Sequence, residues 1–537
     1  MTRTPLTTSF WPAECDQPVL ETTVGGVLRD QAALTPDAVA LIECDMAGVL
    51  GRRWTYAELL DDSLRLAEAL ASRYAAGERI CVWAPNIPEW VVVEYAAAFA
   101  GLTLVTANPA YQPRELKFVV EQSRSVGLFM IGEYRGNPMA EIAAEVAAGV
   151  PALREVIDMT DTAELYARGL APRPLPEVRP GDPAQVQYTS GTTGFPKGAL
   201  LHHRGITNNA RLTFVRAGVP QGVTTINFAP MFHTSGCACL TLGSAQIGGR
   251  MIIAKLFDPP RMLDLIESEH VEFLLGVPTM LIGLLEAQAR QPRDVSSVKM
   301  ALSGGAMVPP ELVRRVKSVF GCDFTTVYGQ TESSPVDTQT KGDDSLEDLC
   351  ETVGQPLAQT DISIRDPATN AVAPLGAVGE ICARGYCIML GYNDNPDATA
   401  AAIDAEGWLH TGDLGTIDAR GYVRVTGRVK EMIIRGGENL FPAEIENILL
   451  EHPDVAEVAV VGIPDQRWGE IVAGFVRLTP GARLDRNALI AHCRAHIAPQ
   501  KTPARWIEVK EWPLTGSGKI QKFVLRDQLV SGELTDA

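Results

Sequence analysis

The stretch Tyr188 to Leu200, YTSGTTGFPKGAL, packs hydroxyls, glycines and a lysine into a short run. Thr189, Ser190, Thr192 and Thr193 supply hydroxyl donors. Gly191 and Gly194 tolerate positive φ and leave backbone N–H groups bare. Pro196 stiffens the turn, and Lys197 adds a cation. Amides and hydroxyls curled around a concavity make a phosphate cradle. The run is not a Walker loop, which needs G-x-x-x-x-G-K-[ST], because Pro196 precedes Lys197 and Gly198 follows it. Two further stretches are rich in small, flexible residues. Ser303-Gly304-Gly305-Ala306 sets small residues at the end of an expected strand, where a flat ring can lie on the backbone. Pro513 to Ile520, PLTGSGKI, is a glycine-spaced mobile loop carrying a single lysine, Lys519.

Together and in chain order, these runs resemble the motifs of the adenylate-forming enzymes: acyl-CoA synthetases, peptide-synthetase adenylation domains and luciferases. The resemblance spans about Thr22 to Leu529. It assigns roles residue by residue. In Tyr328-Gly329-Gln330-Thr331-Glu332, Tyr328 stacks on adenine, Thr331 bonds the α-phosphate and Glu332 holds Mg2+, for which a hard carboxylate oxygen is suited. Gly304, Gly305 and Ala306 border the adenine. In GWLHTGD, Asp413 accepts from the ribose hydroxyls, and Arg428 contacts ribose and phosphate. Lys430 stands at a hinge between two domains. Gly436, Gly437 and Glu438 line a pantetheine tunnel for coenzyme A in a second conformation. Lys519 is the catalytic lysine, bridging the substrate carboxylate and α-phosphate. Catalysis is thus expected from Lys519, Glu332, Thr331 and Arg428, with ATP, Mg2+ and coenzyme A as cofactors.

The implied reaction is AMP-forming acid–thiol ligation: a carboxylic acid becomes an acyl-adenylate with release of pyrophosphate, then a thioester with release of AMP. His233, in PMFH, lines the acyl-site entrance where peptide-synthetase domains carry an aspartate for the substrate amine. Without that carboxylate an ammonium would be buried unpaired, which argues against an amino acid. Gly329 stands where short-chain synthetases carry tryptophan, and Gly236, Ala238 and Gly276 are small as well. A medium- or long-chain acid is therefore expected, each buried methylene contributing about 0.8 kcal/mol. The alternatives are an aromatic or alicyclic acid, a carrier protein in place of coenzyme A as acceptor, and a catalytically silent nucleotide-binding regulator.

Such chemistry needs elements to hold it. The 537 residues suggest roughly two to four domains, and 46% hydrophobic with 21% charged residues is ordinary for a globular protein. A formal charge of −18 opposes nonspecific attraction to nucleic acid or an anionic membrane. The ten cysteines include no CxxC pair, and His202 and His203 are adjacent, which is poor zinc spacing; reduced, mostly buried thiols in a cytoplasmic protein are expected. The first residues lack a signal-peptide core, and the apolar run Trp90 to Val105 is too short to span a bilayer. No nucleic acid or integral membrane segment is expected, and a homodimer is left open.

Hydrophobic periodicity predicts helices over 22–33, 56–74, 87–99, 260–268, 310–320, 442–450 and 486–496. Short apolar strands come between them, over 39–43, 53–56, 79–83, 102–106, 225–229, 250–254, 273–277, 299–303, 455–461, 474–478 and 506–509. Such alternation indicates an α/β fold with parallel-type sheets. From Ala371 to Thr426 short strands and glycine turns predict a β-rich subdomain. The composition shifts after Gly427. The expected organisation is a large N-terminal domain over 1–428, binding ATP and the acyl group, and a small mobile α+β C-terminal domain over 431–537, with the hinge at Lys430.

Overall fold

The computed structural model describes residues 4–169, 173–189, 196–306, 308–436, 438–514 and 520–535. Two large sheets dominate it. One has seven strands in the order Gly391–Tyr392, Lys197–His202, Pro183–Thr189, Thr103–Ala107, Arg79–Trp83, Gly127–Met130 and Glu155–Asp158. Its last five strands run parallel, and the Lys197–His202 strand returns antiparallel along Pro183–Thr189. The second has nine strands, Gln355–Pro356, Thr338–Gln339, Asp323–Tyr328, Met300–Gly304, Phe273–Leu275, Thr224–Asn227, Arg250–Ala254, Val39–Cys44 and Leu50–Thr55. Its centre is parallel and its edges antiparallel.

Local chemistry explains the elements. Helix Tyr56–Arg73 starts on a reciprocal cap, Thr55 accepting from the Glu58 amide while Glu58 accepts from the Thr55 amide. It buries Leu59, Leu66, Ala67 and Leu70 on one stripe. Helix Pro88–Phe99 is buried on nearly every side, which is why its sequence reads apolar without a polar face. Among the described residues no helix is long and apolar enough to cross a membrane. All ten cysteines are unpaired, and eight of them are buried.

The expected β-rich region is present, but its membership differs from the reading of 371–426. The antiparallel sheet runs Phe10–Trp11, Thr360–Arg365, Gly379–Gly385, Leu409–Ile417 and Val423–Arg428. It draws one strand from the far N-terminus, where Trp11 is 2% exposed and packs so closely on Gly421 that any β-carbon there would overlap its ring. Within the stretch, Gly391–Tyr392 leaves to pair with Lys197–His202 in the seven-stranded sheet, and Pro396–Ala402 is helical.

The small C-terminal domain is built on a sheet of Glu438–Leu440, Ile433–Arg435, Gly469–Leu478 and Val455–Asp465, with Arg505–Glu508 parallel to Gly469–Leu478. Helices Pro442–Leu450 and Arg486–His496 cover one face through Ile445, Leu449, Leu489 and Cys493. A final helix, Lys522–Ser531, covers the other through Leu525 and Leu529; the sequence reading had no element there.

Candidate active site

Sheet order assembles the site. In the nine-stranded sheet, Asp323–Tyr328, Met300–Gly304, Phe273–Leu275 and Thr224–Asn227 are consecutive parallel neighbours. Their C-terminal ends carry, in that order, Tyr328, then Gly304-Gly305-Ala306, then Gly276, then the loop to His233. Ligands of open α/β sheets bind outside the carboxyl ends of the strands, so residues scattered over a hundred positions fall along one edge. Gly305 and Ala306 are exposed there, and Gly305 has φ +75°. Gly304 is glycine for a different reason, because a β-carbon would meet Val327 at 2.4 Å.

At one end of the edge three predicted residues meet. The Tyr328 hydroxyl donates to Asp413 Oδ2 at 3.0 Å, and Arg428 Nε lies 3.0 Å from Asp413 Oδ1. Asp413 and Arg428 are cross-strand partners in the β-rich sheet, so that sheet delivers both to Tyr328 at the end of the strand edge. In the pairing of Gly379–Gly385 with Leu409–Ile417 the register shifts between Glu380 and Cys382, opposite the stretch His410 to Leu414 that carries Asp413. Glu380 fixes the residues just before Asp413: Oε1 accepts from the Gly412 amide at 2.9 Å, and Oε2 pairs with His410 Nδ1 at 2.8 Å.

Glu332 lies in the single turn Thr331–Ser333 beyond Tyr328 and is 7% exposed. Helix His203–Ala217 anchors the chain that follows: Asn209 donates to the Val336 carbonyl at 2.7 Å and accepts from its amide at 3.0 Å. The Tyr392 hydroxyl donates to Glu332 Oε1 at 2.7 Å. Burial and the Glu332 charge push the Tyr392 phenol above its ordinary range, so it remains a donor. No hydrogen-bond partner among the described residues reaches Glu332 Oε2, so a hard carboxylate oxygen is left for a cation, which suits Mg2+. Lys197 opens the strand that returns from the phosphate motif. Its Nζ lies 4.9 Å from the centre of the Tyr392 ring, and its carbonyl accepts from Thr189 Oγ1 at 3.3 Å, closing the base of the loop.

At the other end, His233 Nδ1 accepts from the Ser235 amide at 3.4 Å, just ahead of the π-helical segment Ser235–Leu242. Such segments are frequent at functional sites. Gly236 lies so close to Pro230 that a β-carbon would sit 2.4 Å from its carbonyl oxygen. Gly276 faces the Phe228 ring, with 3.2 Å between an added β-carbon and Cε2. The expectation for Gly329 needs correction. A side chain there would run into backbone, 2.1 Å from the Pro335 carbonyl oxygen and 2.8 Å from the Asp337 amide. The glycine is required by this close approach, and the room it saves is already occupied.

Ser190, Gly191, Thr192, Thr193, Gly437 and Lys519 lie outside the described residues. Lys430 is exposed, in the turn Val429–Glu431. Gly436, with φ +61°, donates its amide to the Trp468 carbonyl, and Glu438 accepts from Gln500 at 3.0 Å. Both partners belong to the small domain. Tyr392 was missed by sequence reasoning. It is sixty residues from Glu332 in a stretch read as ordinary β structure, and no local pattern marks it.

Residues 28–393 match the family model described as AMP-binding enzyme, and 444–519 match the AMP-binding enzyme C-terminal domain. The chain is 36% identical over 542 residues to YngI of Bacillus subtilis (strain 168), assigned as an acyl-CoA synthetase, covering 95% of this chain and 98% of that one. It is 34% identical over 543 residues to the mitochondrial medium-chain acyl-CoA ligase ACSF2 of Homo sapiens, covering 94% and 87%. The o-succinylbenzoate CoA synthetase MenE of Bacillus subtilis, solved with its acyl-adenylate, superposes with a TM-score of 0.82 at 28% identity, covering 95% and 98%. The fold and these matches agree: the chain belongs to the AMP-binding, adenylate-forming enzyme family and is an acyl-CoA ligase using ATP, Mg2+ and coenzyme A.

Proposed function

We propose that this ligase activates a medium- or long-chain carboxylic acid. The observation that carries the reading is the likeness, over nearly the whole chain, to a ligase named for medium-chain acids. Gly276 supports it, since it brings no side chain of its own to the acyl end of the edge and faces side-chain atoms of Phe228, Leu281 and Met280 rather than backbone.

In this reading the hydroxyls of Thr189, Ser190, Thr192 and Thr193, the Gly191 amide and the Lys197 ammonium hold the phosphates. Tyr328, Gly304, Gly305 and Ala306 hold adenine, Asp413 and Arg428 the ribose, and Thr331 the α-phosphate. Glu332 would hold Mg2+, which supplies positive charge against the triphosphate when bound. His233, Gly236 and Gly276 line the acyl side. A carboxylate oxygen attacks the α-phosphorus, the bond to the bridging oxygen breaks, and pyrophosphate leaves; Lys519 neutralises the charge gathering between carboxylate and phosphate. The small domain, 431–537, then turns about Lys430 against the large one, 1–428, and brings Gly436, Gly437 and Glu438 to the site. The thiol of coenzyme A gives up its proton, its sulfur bonds to the acyl carbon, and AMP departs.

AMP release with ATP and coenzyme A across acetate, octanoate, palmitate, benzoate, cinnamate and a cyclic acid tests the substrate. A maximum from octanoate to palmitate is expected. The likeness to MenE, named for an aromatic acid, favours the second reading, an aromatic or alicyclic substrate, and a maximum there would replace the first. Lys519→Ala is expected to abolish adenylation while keeping most thioester formation from supplied acyl-AMP. Equal loss of both would remove Lys519 from its role.

A further inference from the structure

The segment 388–393 is the tie between the two halves of the nucleotide edge. On one side it follows the strand leaving the phosphate motif: the Leu390 amide donates to the Leu200 carbonyl and the Asn393 amide to the Gly198 carbonyl. On the other side the Met389 amide donates to the Glu332 carbonyl at 2.8 Å. Tyr392 sits between, its hydroxyl on the Glu332 carboxylate at 2.7 Å and its ring face under the Lys197 ammonium at 4.9 Å. Its own backbone is fixed by the Thr399 hydroxyl, which accepts the Tyr392 amide at 2.9 Å. The phosphate-motif cation belongs to the seven-stranded sheet, and the carboxylate follows a strand of the nine-stranded one; one aromatic side chain touches both.

We infer that Tyr392 is a positioning residue for the metal-bound nucleotide: it orients Glu332 so that Oε2 faces the cation, and it sets the spacing of that cation from Lys197. The inference rests on Glu332 being the Mg2+ ligand. Mg2+ demands near-ideal octahedral geometry and tolerates a misaimed ligand poorly. A carboxylate with one oxygen tied by a donor has one orientation to offer, whereas an untied carboxylate must be ordered when the metal arrives. Removing an outer partner of a metal ligand costs about 10- to 100-fold in metal affinity. The ring makes a separate contribution, since an aromatic face attracts an ammonium through its quadrupole, and it remains in Tyr392→Phe.

The two contributions separate in calorimetric titrations of the full chain with ATP, once with Mg2+ varied and once in EDTA. Tyr392→Phe is expected to raise the Mg2+ concentration for half-maximal ATP binding by about tenfold or more and to leave metal-free ATP affinity unchanged. Tyr392→Leu is expected to weaken metal-free ATP binding as well. A wild-type Mg2+ midpoint in Tyr392→Phe overturns the inference. So does an equal loss with and without Mg2+ accompanied by a lower Tm, which would make Tyr392 a scaffold residue only. Glu332→Gln separates the two levels of the reading. If it leaves the Mg2+ midpoint unmoved, the metal assignment itself falls; if it shifts the midpoint and Tyr392→Phe does not, the role of Tyr392 alone falls.

Discussion

Gly329 and Gly276 are both glycines beside the site, and their surroundings predict opposite behaviour. At Gly329 an added β-carbon meets the backbone of Pro335 and Asp337, and backbone in a sheet-anchored loop cannot step aside cheaply. Overpacking of this kind costs about 1–3 kcal/mol. Gly329→Ala should therefore lower the urea midpoint and weaken ATP and acid together. A variant of wild-type stability with only a shifted acyl preference would refute that and restore the open-pocket reading. At Gly276 the neighbours are side-chain atoms of Phe228, Leu281 and Met280 at 3.2 to 3.5 Å, which can give by a few tenths of an ångström. Gly276→Ala should keep its stability and reduce kcat/KM for palmitate more than for octanoate. Equal reduction for both acids would take Gly276 off the acyl wall.

At the scale of elements, adjacent His202 and His203 have a use the spacing rule for zinc did not reveal. Each starts or supports a helix with Nδ1 as acceptor. His202 receives the Gly205 amide at 3.0 Å at the head of His203–Ala217, and His203 receives the Val24 amide at 3.3 Å at the head of Val24–Leu34. A protonated imidazole cannot accept at Nδ1. Burial, the largest cause, holds His203 down to about 4 and lowers His202 as well. In the unfolded chain a histidine titrates near 6.5. Between about pH 6.5 and 4 the unfolded state thus takes up a proton that the folded state refuses, and stability is lost as the pH falls through that window. His203 contributes at most about 1.4 kcal/mol per pH unit to this slope. His203→Asn, which keeps an acceptor and removes the titration, should flatten Tm against pH over the same window; an unchanged slope would show that His203 is not its source. The same scale shows what a sequence can disclose. Helices such as Pro310–Phe320 and Pro442–Leu450 were legible because proline at the first turn and apolar periodicity act locally. The pairing of Phe10–Trp11 with Thr360–Arg365 spans some 350 residues and has no local trace. The last helix buries only Leu525 and Leu529, while Phe523 and Val530 are exposed, so its stripe is blurred. Tyr328, Asp413 and Arg428 were each named from motifs, but their mutual contact, and the part of Tyr392, exist only once the sheets are ordered.

For the molecule as a whole, the proposed turn about Lys430 can carry Lys519 only if the small domain moves as one piece. Lys522, three residues after Lys519, provides a clasp for that. Its Nζ lies 3.1 Å from Glu431 Oε2, next to the proposed hinge, and 2.8 Å from Glu446 Oε1 in helix Pro442–Leu450. The Glu446 Oε1 atom also accepts the Val460 amide at 2.6 Å. The described residues on either side of Lys519 are joined by the Leu514–Ile520 bridge and by the Gln521 amide, which donates to the Pro513 carbonyl. Burial opposes the Lys522 charge, but Glu446 and Glu431 outweigh it, so its affinity for the proton rises. Removing one member of such a half-buried set strands the others and costs about 3–5 kcal/mol at full burial, less with the partial exposure here. Lys522→Met should therefore loosen the small domain alone. Limited proteolysis should cut after 430 while the large domain stays intact. Acyl-adenylate formation should fall, and ATP binding should hold, because Tyr328, Asp413 and Arg428 lie before the hinge. Lys522→Arg, which keeps the charge, should recover part of the adenylation rate. If Lys522→Met adenylates as fast as wild type, the hinge and Lys519 are not mechanically joined through Lys522, and the small domain must hold Lys519 by its sheet and helices alone.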